Sequence, residues 1–183
     1  FEAKQSICVS RSFSSEINDL PELCEQIANF ASAVAEKLRS QNSAACELCV
    51  FAYTNRFKEN EPQMYGNQLV QFETPVNDQR IIVTRSVEAL RELFRKGYGY
   101  KKAGVIATRI MPVQNIMRSL FEDTASVERE HKLTSVVDAV NKAFGRGAVK
   151  LAVQGSGKIK SSSEKQSPHY TTKWSDIPEV TVK

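Results

Sequence analysis

The sequence lacks any long apolar run. No segment approaches the roughly 18 consecutive apolar residues of a membrane-spanning helix, and residues 1–13 do not contain the apolar stretch of a signal peptide. These absences argue against a membrane protein and predict a cytoplasmic one. The sequence begins at Phe1 rather than at a methionine, so we also expect it to be a fragment of a longer protein.

Cysteine and histidine are scarce. Four cysteines without secretory features indicate reduced thiols rather than a disulfide scaffold. Cys46 and Cys49 form a lone C-x-x-C pair in a predicted strand, where positions three apart point to opposite faces, so we expect buried small side chains rather than a metal or redox site. The two histidines, His131 and His169, have no acidic residue at a spacing that would orient a catalytic base. We expect no catalytic site, metal or cofactor in this chain.

Acidic residues are absent from a basic stretch at residues 95–109, and residues 80–102 hold seven Lys or Arg against two Glu. The pattern predicts a turn followed by a strand that starts with Lys101 and Lys102. A basic surface on a rigid strand indicates an anion-binding site, and nucleic acid is the commonest large anion. The alternative is a solvated basic face without a function.

The apolar periodicity predicts an α+β fold. The predicted elements are a strand at residues 4–13, a helix from Asp19 to Gln41, strands at residues 45–56 and 63–73, a helix from Asn77 or Asp78 to Gly97, and a fourth strand ending by Pro112. This order predicts a four-stranded mixed sheet with both helices on one face, as in split βαβ arrangements. Polar and basic side chains on the open face would suit phosphate binding without base readout.

The remainder of the chain predicts a smaller extension. Charged residues 125–132 suggest a linker, and residues 133–144 a third amphipathic helix ending at Gly145. Residues 148–153 suggest a short strand that pairs either with residues 157–160 or with nothing. The glycines at residues 155 and 157 do not have the spacing of a phosphate-binding loop. We predict a sheet domain at residues 1–112, a linker at 113–132 and a C-terminal extension at 133–183.

Several motifs carry a family resemblance. Ser-Ile-Cys-Val-Ser-Arg-Ser-Phe at residues 6–13, Ala-Glu-Lys-Leu-Arg-Ser at 35–40, Tyr-Gly-Asn at 65–67 and Tyr-Lys-Lys-Ala-Gly-Val at 100–105 resemble the little-finger domain of Y-family translesion DNA polymerases of the UmuC type. Residues 145–147 and 167–174 are similar to the C-terminal extension of the same branch.

The resemblance implies a DNA-binding fragment of a polymerase that acts in the SOS response. In the family the little finger grips phosphates of the template-primer duplex, and the catalytic carboxylates lie in a palm domain that would precede Phe1. Carried over by motif, the implied DNA contacts are Ser10, Arg11, Ser12, Asn67, Lys101 and Lys102.

The family also keeps a sliding-clamp-binding peptide after the sheet. The corresponding residues here are Met117, Ser119, Leu120 and Phe121, with Met117 in the place of the usual glutamine. The alternative is that Leu120 and Phe121 pack on this protein itself. The resemblance further implies that Tyr170 and Trp174 contact a UmuD-type accessory subunit or the recombinase filament.

A generic ferredoxin-like module for RNA binding or protein interaction is the alternative function. Stacking aromatic residues on the open face would favour it, and we expect the central strands to lack the Phe and Tyr pairs of that recognition mode.

Overall fold

The computed structural model describes residues 4–58, 60–116, 124–145, 147–155, 171–172 and 174–177. The regular elements are β1 (Ile7–Ile17), α1 (Leu20–Ser40), β2 (Ser43–Thr54), β3 (Tyr65–Val76), α2 (Gln79–Leu93), β4 (Tyr100–Pro112) and α3 (Thr124–Phe144). The predicted order of strands and helices is confirmed, with strand ends displaced by a few residues. None of the described helices is long and apolar enough to cross a membrane.

The four strands form one sheet in the order β1-β4-β2-β3. Each neighbouring pair is antiparallel, so the α+β fold is confirmed but the expected mixture of strand directions is wrong. The reason is the way that the βαβ units are split. β1 and β2 run parallel with β4 between them, and β3 and β4 run parallel with β2 between them, so each parallel pair is separated by an antiparallel strand.

Both α1 and α2 cover the same face of the sheet. The apolar residues of α1 recur every three or four positions and form a stripe that points inward, in which Leu23, Ile27 and Leu38 are fully buried. The matching face of the sheet supplies Leu48, Val50, Ala52, Ala103, Val105 and Ala107, and α2 supplies Ile82, Val83 and Leu90. Each fully buried Leu, Ile or Val contributes about 1.5 to 3 kcal/mol. This core fixes the helices on one side of the sheet, and neither helix covers the other side.

The two helices begin with different caps. Asp19 is the N-cap of α1, as predicted, but its side chain makes no capping hydrogen bond and only its backbone carbonyl accepts from Leu23. Asp78 caps α2 with its side chain, which accepts hydrogen bonds from the first-turn N–H groups of Arg80 and Ile81. An aspartate cap of this kind stabilises a helix by about 1 kcal/mol.

The helix α2 ends at Leu93, before the predicted end at Gly97. The Tyr100 hydroxyl accepts the N–H of Arg95 at 2.8 Å, so the chain leaves the helix toward Tyr100. Gly97 lies in the following turn with a φ of 93°, a left-handed conformation that glycine adopts without strain. The glycine therefore shapes the turn between α2 and β4 rather than the helix end.

The helix α3 begins at Thr124, so residues 125–132 are helical rather than a linker. This segment contains no Gly or Pro, and charged side chains alone do not stop a helix. α3 is attached to α1 through Asp138, whose two carboxylate oxygens each accept a hydrogen bond of 2.7 Å from Arg39.

Residues 148–153 form no strand. Ala152–Gln154 is a short 3-10 helix, and the side-chain oxygen of buried Gln154 accepts the N–H of Leu151 at 2.9 Å. Asn29 of α1 donates to the Gln154 carbonyl at 3.1 Å. These side-chain contacts occupy groups that a strand would use for pairing. The predicted pairing partner, residues 157–160, lies outside the described residues.

Candidate nucleic-acid interface

The open face of the sheet, away from α1 and α2, carries its side chains in three transverse rows. The rows are Ser12, Lys102, Tyr53 and Tyr65; then Ser10, Gly104, Phe51 and Asn67; then Cys8, Ile106, Cys49 and Leu69. Alternate residues of a strand share a face, and paired residues in antiparallel strands lie about 5 Å apart. Each row is therefore a continuous strip across the sheet.

Four of the predicted DNA contacts lie together on this face. Ser12 and Lys102 share the first row, and Ser10 and Asn67 share the second. Ser12, Asn67 and Lys102 are exposed and Ser10 is partly buried. Hydroxyl, amide and ammonium groups in adjacent rows can each donate a hydrogen bond to a phosphate oxygen. Their contact with DNA stays a prediction.

The other two predicted contacts, Lys101 and Arg11, do not belong to these rows. Lys101 is partly buried, and its Nζ donates to the Ser14 carbonyl at 2.9 Å, which holds the ammonium beside the first row. Arg11 pairs with the core residue Ala103, so its side chain leaves β1 on the side opposite to Ser10. Because β1 is an edge strand, Arg11 is exposed at the rim of the sheet and could reach a phosphate only there.

Three aromatic rings lie side by side on the open face. The centroids of Phe51 and Tyr53 are 4.9 Å apart with planes at 28°, and those of Tyr53 and Tyr65 are 5.6 Å apart with planes at 44°. The expectation that the central strands lack Phe and Tyr pairs is therefore wrong. Phe51 and Tyr53 are two positions apart in one strand, which already predicts a shared face. That Tyr65 lies next to Tyr53 follows only from the register of the β2–β3 hairpin, which the structure provides.

An open cavity of about 550 Å³ lies where the rings meet the loop after β2. Its described lining includes Arg56, Lys101 and Lys102 and no carboxylate. The Arg56 guanidinium lies 5.3 Å from the ring centroid of Phe57, close enough for a cation–π contact. Phe57 itself is 82% exposed. The cavity thus combines aromatic surface with positive charge.

Two carboxylates of the open face lie at the other end of the β2–β3 hairpin, at Glu73 and at Glu47. The Glu47 carboxylate accepts hydrogen bonds from Arg109 at 3.1 Å and from Thr108 at 3.3 Å. Arg109 has a φ of 49°, which is uncommon for a residue with a side chain. Glu47 is paired with Arg109, and neither Glu47 nor Glu73 lines the cavity.

The cysteines are free thiols that differ in exposure. Cys24 is buried, Cys46 and Cys49 are partly buried, and Cys8 is exposed, so the expected full burial of the C-x-x-C pair is wrong. Burial raises the pKa of the Cys49 thiol, and nearby Cys8 adds to the rise. A protonated thiol is a poor nucleophile and metal ligand. In the part of the chain that the structure describes, no three His, Cys, Asp or Glu side chains are grouped as metal ligands.

The predicted clamp-binding residues Met117, Ser119, Leu120 and Phe121 lie outside the described residues, as does Tyr170. Before them, β4 ends at Pro112, and the N–H of Val113 donates to the Asn42 carbonyl at 3.0 Å. Trp174 lies in a short 3-10 helix and is 89% exposed. The roles of the peptide and of the two tail aromatics stay predictions.

The chain is similar in structure to two solved polymerase structures. The insertion ternary complex of Dbh DNA polymerase matches with a TM-score of 0.48 and 14% identity, covering 58% of this chain and 29% of that one. The complex of the beta-clamp processivity factor and the little finger domain of PolIV matches with a TM-score of 0.42 and 15% identity, covering 64% of this chain and 99% of that one.

Sequence comparison gives nearer relatives. The chain is 34% identical to Protein UmuC of Salmonella typhimurium, over 97% of this chain and 42% of that protein. It is 34% identical to Protein ImpB of Salmonella typhimurium and 30% identical to Protein MucB of Escherichia coli, over 96% and 99% of this chain. It covers 42% of the length of ImpB and 43% of the length of MucB. The chain thus spans about two fifths of the length of these curated relatives.

Two family models match the sequence. Residues 131–180 match a domain of unknown function, and residues 4–120 match the C-terminal domain of the impB/mucB/samB family. The second match includes β1 to β4 with α1 and α2. The chain therefore belongs to the impB/mucB/samB family and contains that family's C-terminal domain.

Proposed function

We propose that this chain is the DNA-binding C-terminal part of a UmuC-like Y-family translesion DNA polymerase. It would hold template-primer duplex by its phosphates in the bacterial cytoplasm, during the SOS response to DNA damage. Family membership and the little-finger motifs at residues 6–13, 65–67 and 100–105 support this proposal. The observation that carries it is the pair of donor rows, with Ser10, Ser12, Asn67 and Lys102 on one uncovered face.

The chemistry of these rows suits a partner whose sequence varies. Serine hydroxyls, an asparagine amide and a lysine ammonium group donate to phosphate oxygens, which are the same in every base sequence. A polymerase that moves along its template needs contacts of this kind. Because α1 and α2 pack on the other side, the rows stay fixed on a rigid sheet while DNA passes.

We further propose the sliding clamp as the partner of residues 117–121. A short peptide would bind weakly by itself, and simultaneous attachment to DNA would make the clamp contact intramolecular and hence effective. For the tail we propose contact with a UmuD-type accessory subunit or a recombinase filament. The exposure of Trp174, at 89%, supports a partner there, because indole rings usually contribute binding surface when they are left in water.

The proposal is tested by the salt dependence of duplex binding. Each phosphate neutralised by a lysine adds about 0.9 to the slope of log K against log salt, so Lys101→Ala with Lys102→Ala should flatten the slope by up to about 2. Fluorescence anisotropy with a labelled blunt duplex measures it.

The matched control removes the same charge elsewhere, with Lys37→Ala on α1 and Lys142→Ala on α3, both exposed. We expect the control to leave the slope nearly unchanged. Equal flattening by both pairs would mean that only net charge matters, and failure of the unmodified chain to bind duplex would overturn the proposal.

A further inference from the structure

We propose that the aromatic cavity on the open face binds an unpaired base of single-stranded DNA, stacked on Tyr65 and Phe57 with its phosphate on Lys102. The inference rests on the proposed DNA-binding function and adds a second ligand to it. The duplex would lie on the donor rows, and the cavity shares Ser12, Asn67 and Lys102 with them, so the single-stranded template would enter it where the duplex ends.

The rings differ in how much of their surface is exposed. Phe51 is 5% exposed, Tyr53 is partly buried, and Tyr65 is 56% exposed. Phe57 extends from the neighbouring loop with 82% of its surface exposed. Large aromatic side chains on a soluble protein that lie together in water usually mark a binding surface. A nucleobase presents a flat π-face of the same kind, whatever its sequence.

Charge at the cavity favours a nucleic acid over an apolar peptide. Lys102 is the neighbour of Tyr53 in the first row, about 5 Å away along the hydrogen-bonding direction. Arg56 and Lys101 also line the cavity, and no described lining residue is acidic. A base stacked on the rings would therefore place its phosphate next to cations. Single-stranded nucleic acid sites combine these two features, stacking rings and a basic track.

The loop that carries Phe57 is braced from within. The Gln63 side-chain nitrogen, which has two N–H groups, lies within hydrogen-bond distance of the backbone carbonyls of Asn55, Lys58 and Glu61, at 3.1, 2.9 and 3.2 Å. Lys58 bridges Glu61 at 2.8 Å and Glu16 of β1 at 3.0 Å. These contacts connect the described residues of the loop to one another and to β1, so the backbone next to Phe57 is restrained. A preorganised ring loses less conformational entropy when a base stacks on it.

Only an unpaired base can occupy such a site. In the interior of a duplex both faces of each base are covered by stacking, and extruding a base costs a few kcal/mol. The cavity of about 550 Å³ falls within the range of roughly 300 to 1,000 Å³ that is typical of small-ligand sites. The site therefore distinguishes a template overhang from a blunt duplex.

The test compares two DNA ligands on the full 183-residue chain. One is a blunt duplex, and the other is the same duplex with a single-stranded 5′ template overhang that carries 2-aminopurine as a stacking reporter. We expect the overhang to tighten binding and to quench the reporter. Tyr65→Ala should weaken overhang binding by about 5- to 150-fold, the equivalent of one stacked base, and should leave blunt-duplex affinity unchanged.

Two matched variants separate stacking from other causes. Tyr65→Phe keeps the ring and should retain overhang binding, whereas Leu69→Ala removes an exposed apolar side chain two rows away and should have no effect. Because Tyr65 and Leu69 are surface residues of β3, thermal unfolding midpoints should be similar for all variants.

The experiment distinguishes failure of this inference from failure of the proposed function. If blunt duplex binds and Tyr65→Ala changes nothing with the overhang, the inference is wrong while the duplex proposal stands. Equal loss on both ligands would place duplex rather than a single strand on the rings. An RNA overhang bound more tightly than DNA would overturn the assignment to DNA. If the unmodified chain binds no duplex but still quenches the overhang reporter, the duplex proposal fails alone.

Discussion

Arg39 and Asp138 are joined by two hydrogen bonds of 2.7 Å although they lie 99 positions apart in the chain. The planar guanidinium meets both carboxylate oxygens, which is the strongest geometry for such a pair. Arg39 also donates to the carbonyl of Asn77, just before α2, at 2.9 Å. One largely buried side chain thereby connects α1, the start of α2 and α3.

Replacement of Asp138 with Ala should loosen α3 from the sheet domain. The side chain of Arg39 is 14% exposed and would lose its carboxylate, and we expect a cost of about 1 to 2 kcal/mol because Asp138 is itself 35% exposed. Hydrogen exchange should show faster amide exchange in α3 with little change in β2 and β4. Glu88→Ala, which breaks an exposed pair with Arg85, is the control and should cost less than about 0.5 kcal/mol. Unchanged α3 exchange in Asp138→Ala would contradict this role.

Tyr100 should make the fold sensitive to alkaline pH. Burial raises the pKa of its hydroxyl, and the hydrogen bond with Arg95 partly offsets that rise. The neutral hydroxyl is thus favoured in the folded state, so its contribution is complete below the unfolded pKa of about 10 and is lost as pH rises through the higher folded pKa. Urea unfolding at several pH values should show stability falling above about pH 10.

The variant Tyr100→Phe isolates this effect. It removes the acceptor of the Arg95 N–H and should cost about 1 to 3 kcal/mol at neutral pH, with a smaller difference from the parent chain at alkaline pH. Tyr65→Phe, at a tyrosine that is 56% exposed on the open face, is the control and should leave the pH dependence of stability unchanged. A Tyr100→Phe deficit that stays constant across this pH range would show that Tyr100 does not titrate differently in the two states.

Much of the fold follows from local sequence patterns. The stripe of α1 and the apolar run of β2 predict one covered face because burial dictates their periodicity. The strand directions could not be predicted from these local patterns, because they depend on which strands pair with one another and not on any single segment. The end of α2 was predicted at Gly97, because glycine often ends a helix, but α2 ends at Leu93. The Arg95 N–H donates to the Tyr100 hydroxyl instead of to a helix carbonyl, which the local sequence does not indicate.

In the candidate site, too, some positions could be predicted from local sequence and others depended on strand pairing. Strand alternation predicts that Ser10 and Ser12 share a face, but the choice of Ser10, Ser12 and Lys102 as DNA contacts came from the family resemblance. Placing Asn67 beside Phe51 required the hairpin register that the structure supplies. The aromatic rings were missed although Phe51 and Tyr53 are in plain alternation. Their partner Tyr65 lies beyond an irregular loop, where sequence spacing carries no register information.

The clamp proposal makes a prediction about Leu120 and Phe121. Burial of one such side chain in a partner pocket is worth about 1.5 to 3 kcal/mol, so replacing both with Ala should abolish clamp binding and leave duplex affinity unchanged. Met117→Gln should strengthen binding, because a glutamine amide adds hydrogen bonds worth about 1 kcal/mol each. Surface plasmon resonance on immobilised clamp measures both. A double variant that instead lowers the thermal stability of the chain, with no clamp binding in the parent, would place the two side chains in this protein's own packing.

The measurement that tests the central claim most directly is residue-resolved mapping of the duplex on the sheet. Titration of the isotope-labelled chain with a template-primer duplex, followed by amide NMR shifts, reports which face is covered. We expect the largest shifts at Ser10, Ser12, Asn67 and Lys102 and small shifts along the outer surfaces of α1 and α2. Shifts concentrated on α1, α2 or α3, with the open face unchanged, would contradict the claim that the uncovered face of the sheet holds DNA.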